Sequence, residues 1–144
     1  MRRISRILLS VVLVSTAVVS VAVDWNVTHL FNPEWHPHAK FHDAVMLWLL
    51  CGMSIMALWL LWRRSLEPDI GYTVAMLVPV IFWSAFFFVT LVIPGTSLQA
   101  DLKEAPPIVA GIPIYPNVVI ATISVILALV GYGLYRASSE ANRL

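Results

Sequence analysis

Four long apolar stretches, parted by short polar ones, set the pattern of this chain. Ile7–Val23 lies between Arg6 and Asp24, and Ala44–Trp62 lies between Asp43 and the Arg63-Arg64 pair. Tyr72–Ile93 follows the Pro68-Asp69 turn and stops at Pro94-Gly95, while Val118–Tyr135 runs from Pro116-Asn117 to Arg136. About 20 apolar residues in a helix cross the hydrocarbon core of a bilayer. The pattern therefore predicts an all-α, integral-membrane bundle of four transmembrane helices, a single domain over residues 1–144. Its outer loops are 24–43 and 94–117.

Composition strengthens this reading. Sixty per cent of the 144 residues are hydrophobic and 12% are charged, with a mean hydropathy of +0.85. Soluble domains carry about 45–50% apolar and about 25% charged residues. A net charge of +1 is too small for a nucleic-acid binder working by bulk electrostatics. One cysteine, Cys51, leaves no internal disulfide framework and no Cys-rich zinc site. The expected surroundings are the lipid bilayer.

Charge placement predicts orientation. With the N-terminus in the cytoplasm, Arg2, Arg3, Arg6, Arg63, Arg64, Arg136 and Arg143 lie inside, against Lys40 and Lys103 outside. Both termini are then cytoplasmic and the histidine-rich loop is extracytoplasmic. Trp25, Trp35, Trp62 and Tyr72 fall near the predicted boundaries, as interfacial aromatics do. A rival reading of Met1–Ala22 is a cleavable signal peptide, but that would remove a span needed for pairing. Asn26-Val27-Thr28 is a formal glycosylation sequon, read here as a polar loop close to the membrane.

Helices in lipid associate through small residues and a few polar contacts. The first span offers Ser10, Ala17 and Ser20; the fourth offers Ala121, Ser124, Ala128 and Gly131. These stripes are expected to meet each other or a second subunit. Pro79 removes a backbone donor and should kink the third span. Beyond it, the aromatic run containing Trp83, Phe86 and Phe87 is either lipid-facing bulk or the wall of an apolar pocket. In the second span, Met46, Leu49, Met53 and Met56 lie within about 40° of His42, and Trp48, Ile55, Trp59 and Trp62 lie about 100–160° away. The first row, with histidine above methionine, is expected to face inward, with Met53 in the pocket. The second suits lipid or a neighbouring subunit.

All four histidines sit between Asp24 and Asp43, with three acids and two tryptophans. Pro37 suits the first position of a helix, which would place His38 and His42 one turn apart on one face. Three readings stay open. His38 and His42 share a divalent metal with His29, Asp24, Glu34 or Asp43, since neutral imidazole is a common ligand. Alternatively, one histidine holds a non-covalent haem b, with Met46 beside it. Otherwise the histidines and acids form a hydrogen-bonded lid. The second outer loop carries Pro94, Pro106, Pro107, Pro113 and Pro116 among apolar residues, and is expected to fold over the histidine mouth. Asp101, Lys103 and Glu104 read as its solvated rim.

The run W-N-V-T-H-L-F-N-P-E-W-H-P-H-A-K-F-H, Trp25 to His42, resembles the signature of a family of small four-helix membrane proteins. Their pattern is W-N-x-T-H-x-F-N-P-x-W-x-x-H-A-(K/R)-F-H. That resemblance implies the four-span layout and no activity. More remotely, the layout is similar to the styrene oxide isomerases, four-helix membrane enzymes with haem at subunit interfaces. There a W-A-R-x-H stretch supplies the iron ligand, so Ala39-Lys40-Phe41-His42 implies His42 as axial ligand in a homo-oligomer. The polar asparagine and catalytic tyrosine of that family are replaced here by apolar residues around Trp48 and by Phe86-Phe87-Phe88. Sterol-handling families of the sigma-2 receptor and emopamil-binding type are similar in span number, but this chain lacks their buried acids.

Two functions follow as expectations. One is a membrane enzyme or binding protein for a small apolar ligand, isomerase-like if catalytic, with a metal or haem at His42 and His38. The other is an accessory subunit docked to a partner membrane subunit through Trp48, Trp59 and Trp62. A transporter ranks third, because inverted repeats and intramembrane charges are both absent.

Overall fold

The computed structural model describes residues 1–99 and 105–141. Asp101, Lys103, Glu104 and Arg143 lie outside the described residues. The chain is mostly helical, and four helices are long and apolar enough to cross a membrane. They are α1 (Arg2–Asp24), α2 (Pro37–Trp62), α3 (Pro68–Ser84, continued by a tighter 3₁₀ turn at Ala85–Phe87) and, after a one-turn α4 (Val89–Val92), α5 (Pro116–Glu140). A two-residue hairpin, β1 (Ile108–Val109) with β2 (Ile112–Pro113), interrupts the second long loop.

The breaks between helices have local causes. α2, α3 and α5 each begin with proline at their first position, where its missing N–H leaves no intrahelical bond unmade. The His36 ring caps α2 by accepting the His38 backbone N–H at 3.3 Å. At the far end of α1, the Asn26 side-chain amide donates to the Val23 carbonyl at 2.5 Å, satisfying one of the carbonyls orphaned at a helix end.

The helices pack as a rhomb. α1 lies along α5, α2 lies along α3, α3 also packs on α5, and α1 touches both α2 and α3. The α1–α3 contact is the short diagonal, and a buried hydrogen bond crosses it, from the Trp83 indole N–H to Thr16 Oγ1 at 2.9 Å. The small residues expected on the fourth span are all buried: Ala121, Ser124, Ala128 and Gly131. Gly131 meets α1, while α5 packs on α3 as well. Ser5 donates to the Gly131 carbonyl at 2.6 Å, and a Cβ on Gly131 would stand 3.0 Å from Leu9. On α1 the inward face runs Ser5, Leu9, Val12, Leu13, Thr16 and Ser20; Ser10 and Ala17 lie at its edge.

Near the arginine-rich end, the Tyr72 and Tyr135 rings stack at 3.7 Å and 7°. Tyr135 hydrogen-bonds to Asp69, and Leu9, Leu13, Ala57, Leu61, Ala75 and Val78 complete that core. Gly71 lets α3 close on the end of α2, for its missing Cβ would fall 2.5 Å from the Leu60 carbonyl oxygen.

Two expectations about facing are corrected. The buried face of α2 is Leu47, Leu50, Ser54, Ala57 and Leu61, about 90° round the helix from the His42–Met53 row. That row therefore flanks the bundle and does not point into it. The hairpin of the proline-rich loop likewise packs against no helix and does not cover the histidines, although Thr96–Leu98 lie against Ala85, Phe86 and Asn117. Val109 pairs with Ile112 across Ala110 and Gly111, both at positive φ, the geometry of a tight two-residue hairpin turn. Pairing with itself satisfies this backbone locally, and Ile108, Val109 and Ile112 remain exposed.

Candidate functional site

Tryptophan, asparagine and threonine in the Trp25–His42 run build one compact loop. The Asp24 carbonyl accepts from Asn26 N–H at 2.9 Å and Leu30 N–H at 3.0 Å, and Phe31 N–H returns to the Asn26 carbonyl at 2.9 Å. Trp25 and Phe31 meet edge to face at 5.6 Å, and Leu30 is buried. Asn32 repeats the side-chain turn by accepting from Glu34 N–H at 2.9 Å. Trp35 packs edge-on against the His29 ring at 5.7 Å. The loop holds His29 inward.

His29 is also oriented by a chain of hydrogen bonds. Asn26 gives its amide N–H to Val23, so its Oδ1 is the acceptor, receiving Thr28 N–H at 2.7 Å and the Thr28 hydroxyl at 2.6 Å. A hydroxyl has one proton to give. The Thr28 oxygen, 2.8 Å from His29 Nδ1, must then accept from Nδ1–H. That leaves Nε2 facing Asp24 Oδ1 at 3.9 Å. Nε2 is thus the nitrogen free to take up or release a proton. The Asp43 carboxylate also interacts electrostatically with both Asp24 and His29, and its Oδ2 is shielded without a hydrogen-bond partner.

This orientation can be tested directly. With histidine nitrogens labelled, NMR of the neutral His29 ring should show the Nδ1–H tautomer, assigned by its loss in His29→Gln. Thr28→Val removes the acceptor and should shift the population toward Nε2–H. A spectrum insensitive to Thr28→Val would rule out the hydrogen-bond chain.

Asp24 and His29 open onto a cavity of about 350 Å³ between the ends of all four long helices. Ser20 and Asn117 add the other polar groups of its wall, while Met46, Phe82, Trp83 and Phe86 supply much of the apolar surface. Ser20 is almost wholly buried, and its hydroxyl has no hydrogen-bond partner. A larger cleft of about 440 Å³ runs along the side of the bundle between α2 and α3, past Leu49, Met53, Val74 and Leu77. It has no ionisable lining, so the chemistry belongs to the smaller cavity. Met46, Ile81 and Phe82 line both.

The structure divides the residues singled out from the sequence. It brings Asp24, His29, Met46, Trp83 and Phe86 to the cavity at the histidine-rich end, and Met53 to the lateral cleft. Phe87 is outside both and 43% exposed, because the helix tightens to a 3₁₀ turn at Ala85–Phe87 and swings that ring outward. Phe82 lines the cavity in its place. His38 and His42 do come together, Nε2 to Nε2 at 2.9 Å. Both are exposed, and they line neither cavity. Among the described residues, no three of His, Cys, Asp and Glu gather closely enough to hold a metal ion. The resemblance implied a haem on His42, but within one chain that imidazole does not reach a cavity in which the macrocycle would sit. Ser20, Phe82 and Asn117 were not singled out as site residues in the sequence. For Ser20, a polar residue facing inward one turn before Asp24 was the available signal.

No curated protein and no solved structure matches the chain. Residues 8–143 match a family of unknown function, DUF6640. With nearly the whole sequence covered by that match, the chain belongs to the DUF6640 family.

Proposed function

We propose that this is a multi-pass membrane protein which takes a small, mostly apolar molecule from the bilayer into the outer cavity, where Asp24 and His29 meet its polar group. In this reading both termini are cytoplasmic and the Trp25–His42 loop is extracytoplasmic, as the arginine distribution favours. The single observation that carries it is the largely apolar cavity lined by a carboxylate and an oriented imidazole. Ligand sites are concave, mainly apolar and equipped with a few convergent polar groups. The lateral α2–α3 cleft offers the path from lipid, through the wall shared at Met46, Ile81 and Phe82. The unpartnered Ser20 hydroxyl supplies a further hydrogen bond for a ligand oxygen or nitrogen.

Chemically, His29 Nε2 and Asp24 can withdraw a proton at one point of a bound molecule and return it at another. General acid–base transfer of this kind suits an isomerisation. The test uses a diazirine-bearing aryl alcohol as probe, photolysed with the detergent-purified protein. Labelling should map to Met46, Phe82 and Phe86. Asp24→Ala should weaken retention about tenfold or more, the loss expected for one hydrogen bond to a charged group. The Asp24 backbone bonds that hold the loop are untouched by this change. Labelling confined to the outer faces of the helices, equal in wild type and Asp24→Ala, would refute the site. A stoichiometric partner protein in the same preparation would then favour the accessory-subunit reading, with exposed Trp48, Ile55 and Trp59 as the contact row.

A further inference from the structure

The opposite end of the bundle holds charges that the outer cavity does not use. Arg2, Arg3 and Arg6, with Ile7 and Trp62, line a recess of about 400 Å³ between the start of α1 and the end of α2. No carboxylate lines it. Among the described residues, the ion pairs are His29–Asp24 and Arg136–Glu140, so none of these three guanidinium groups is in an ion pair, and Arg2 alone shares its other recess with acids. They stand within one and a half turns of one helix, where like charges repel.

Arg6 is held in place from two sides. Its guanidinium lies 5.2 Å from the Trp62 ring centre and 5.8 Å from that of Tyr72. Trp62 is itself fixed by donating its indole N–H to Ser10 at 2.9 Å. Arg6 Nε is shielded from solvent yet has no hydrogen-bond acceptor. A buried donor without a partner is uncommon and points to a bound group. The neighbouring recess, which shares Arg2, is lined by Glu67 and Asp69 and would repel an anion. The Arg3–Arg6 side is therefore the one that attracts it.

Depth agrees with charge. The 23 residues of α1 rise about 1.5 Å each, more than the roughly 30 Å hydrocarbon core, so Arg2 and Arg3 reach headgroup level. Guanidinium groups present planar forks that match phosphate oxygens, and basic pockets between membrane helices bind anionic headgroups. We propose that this recess binds the phosphate of an anionic phospholipid through Arg3 and Arg6, with Arg2 adding charge and Trp62 supporting Arg6.

The test is native mass spectrometry of the full chain in detergent, titrated with dioleoylphosphatidylglycerol or dioleoylphosphatidylcholine. One phosphatidylglycerol should be retained in preference to phosphatidylcholine. Arg3→Gln should weaken it about fivefold and Arg3→Gln/Arg6→Gln about 25-fold, at the effect of one arginine near a charged surface. Arg3 is exposed, so its single substitution keeps the test valid even if changing Arg6 unfolds the bundle. Arg3→Lys, which keeps charge and loses the fork, should fall between wild type and Arg3→Gln. The Arg63→Gln/Arg64→Gln pair lies outside the recess and should change retention less than about twofold. Equal retention of the two lipids, or an equal loss from the Arg63/Arg64 change, would overturn the proposal. Displacement by inorganic phosphate alone, without any lipid preference, would overturn the lipid as source and leave a soluble phosphate site.

Discussion

Gly71→Ala should lower the unfolding midpoint of the detergent-purified protein, while Gly52→Ala and Gly133→Ala leave it unchanged or raise it. All three glycines lie inside helices. Replacing a helical glycine by alanine ordinarily stabilises by about 0.5–1 kcal/mol, because the unfolded chain loses freedom. At Gly52 and Gly133 a Cβ meets nothing within 4 Å, so that gain should be realised. At Gly71 the same carbon falls 2.5 Å from the Leu60 carbonyl oxygen and 2.9 Å from its carbon. These are backbone atoms of α2 and cannot rotate aside. Overpacking costs about 1–3 kcal/mol, which outweighs the helical gain and reverses the sign. Thermal melts followed by helical circular dichroism would read the three variants side by side. A Gly71→Ala protein as stable as the other two would mean that α2 and α3 do not approach as described.

Thr16→Val should be the next most damaging change, although it preserves shape. It strips the acceptor from the Trp83 indole N–H in a region where Thr16 is 1% and Trp83 4% exposed. A buried donor left unpaired costs about 1–3 kcal/mol. Hydrogen bonds between membrane helices average nearer 0.6 and reach about 1.7 kcal/mol, because the separated helices find other partners. The short diagonal of the bundle is occupied by protein and not lipid, so a loss near 1.5 kcal/mol is expected, at the upper end of that membrane range. Trp83→Phe removes the donor as well, and the Thr16 hydroxyl can then bond back to its own helix. The double variant should therefore be less damaged than the sum of the two, by about 1 kcal/mol. Strict additivity in thermal or chemical denaturation would show that the bond contributes nothing. Trp83 also lines the cavity beside Asp24 and His29, so this bond ties the wall of the site to the centre of the bundle.

Much of the architecture was legible from the order of residues. Four apolar runs of spanning length, each bounded by charges, proline or glycine, lead to four long helices. Three of these extend beyond the expected spans, while the third expected span, Tyr72–Ile93, breaks after Ser84 into a 3₁₀ turn and the separate α4. The small residues of the fourth span were correctly placed in a contact, since lipid gives little reason for helices to meet except close approach. Pro79 sits inside α3, and three of the four long helices begin at proline. Asp24 and His29 were among the candidate ligands because acids and histidines concentrate in one loop of an otherwise apolar chain.

Facing was not legible to the same degree. In a soluble helix, polarity marks the outside, but every side of α2 is apolar. Its periodicity therefore cannot tell the Leu47–Leu61 face from the methionine row, and the inward direction of His42 was an expectation that packing overturned. Phe87 was misplaced because a 3₁₀ turn has no composition signature in a run of aromatics.

The residues alone determined the number of long helices, the basic and histidine-rich ends, and the loop chemistry that turns Asn26, Thr28 and His29 toward one another. Those are local properties, decided by hydrophobic length, charge and hydrogen bonds a few positions apart. Only the tertiary structure decided which imidazole reaches a cavity, which glycine admits a neighbouring backbone, and which three arginines share a recess with Trp62. Each of these depends on how helices distant in sequence rotate against one another, and that rotation follows from steric fit between apolar faces that the sequence leaves nearly equivalent.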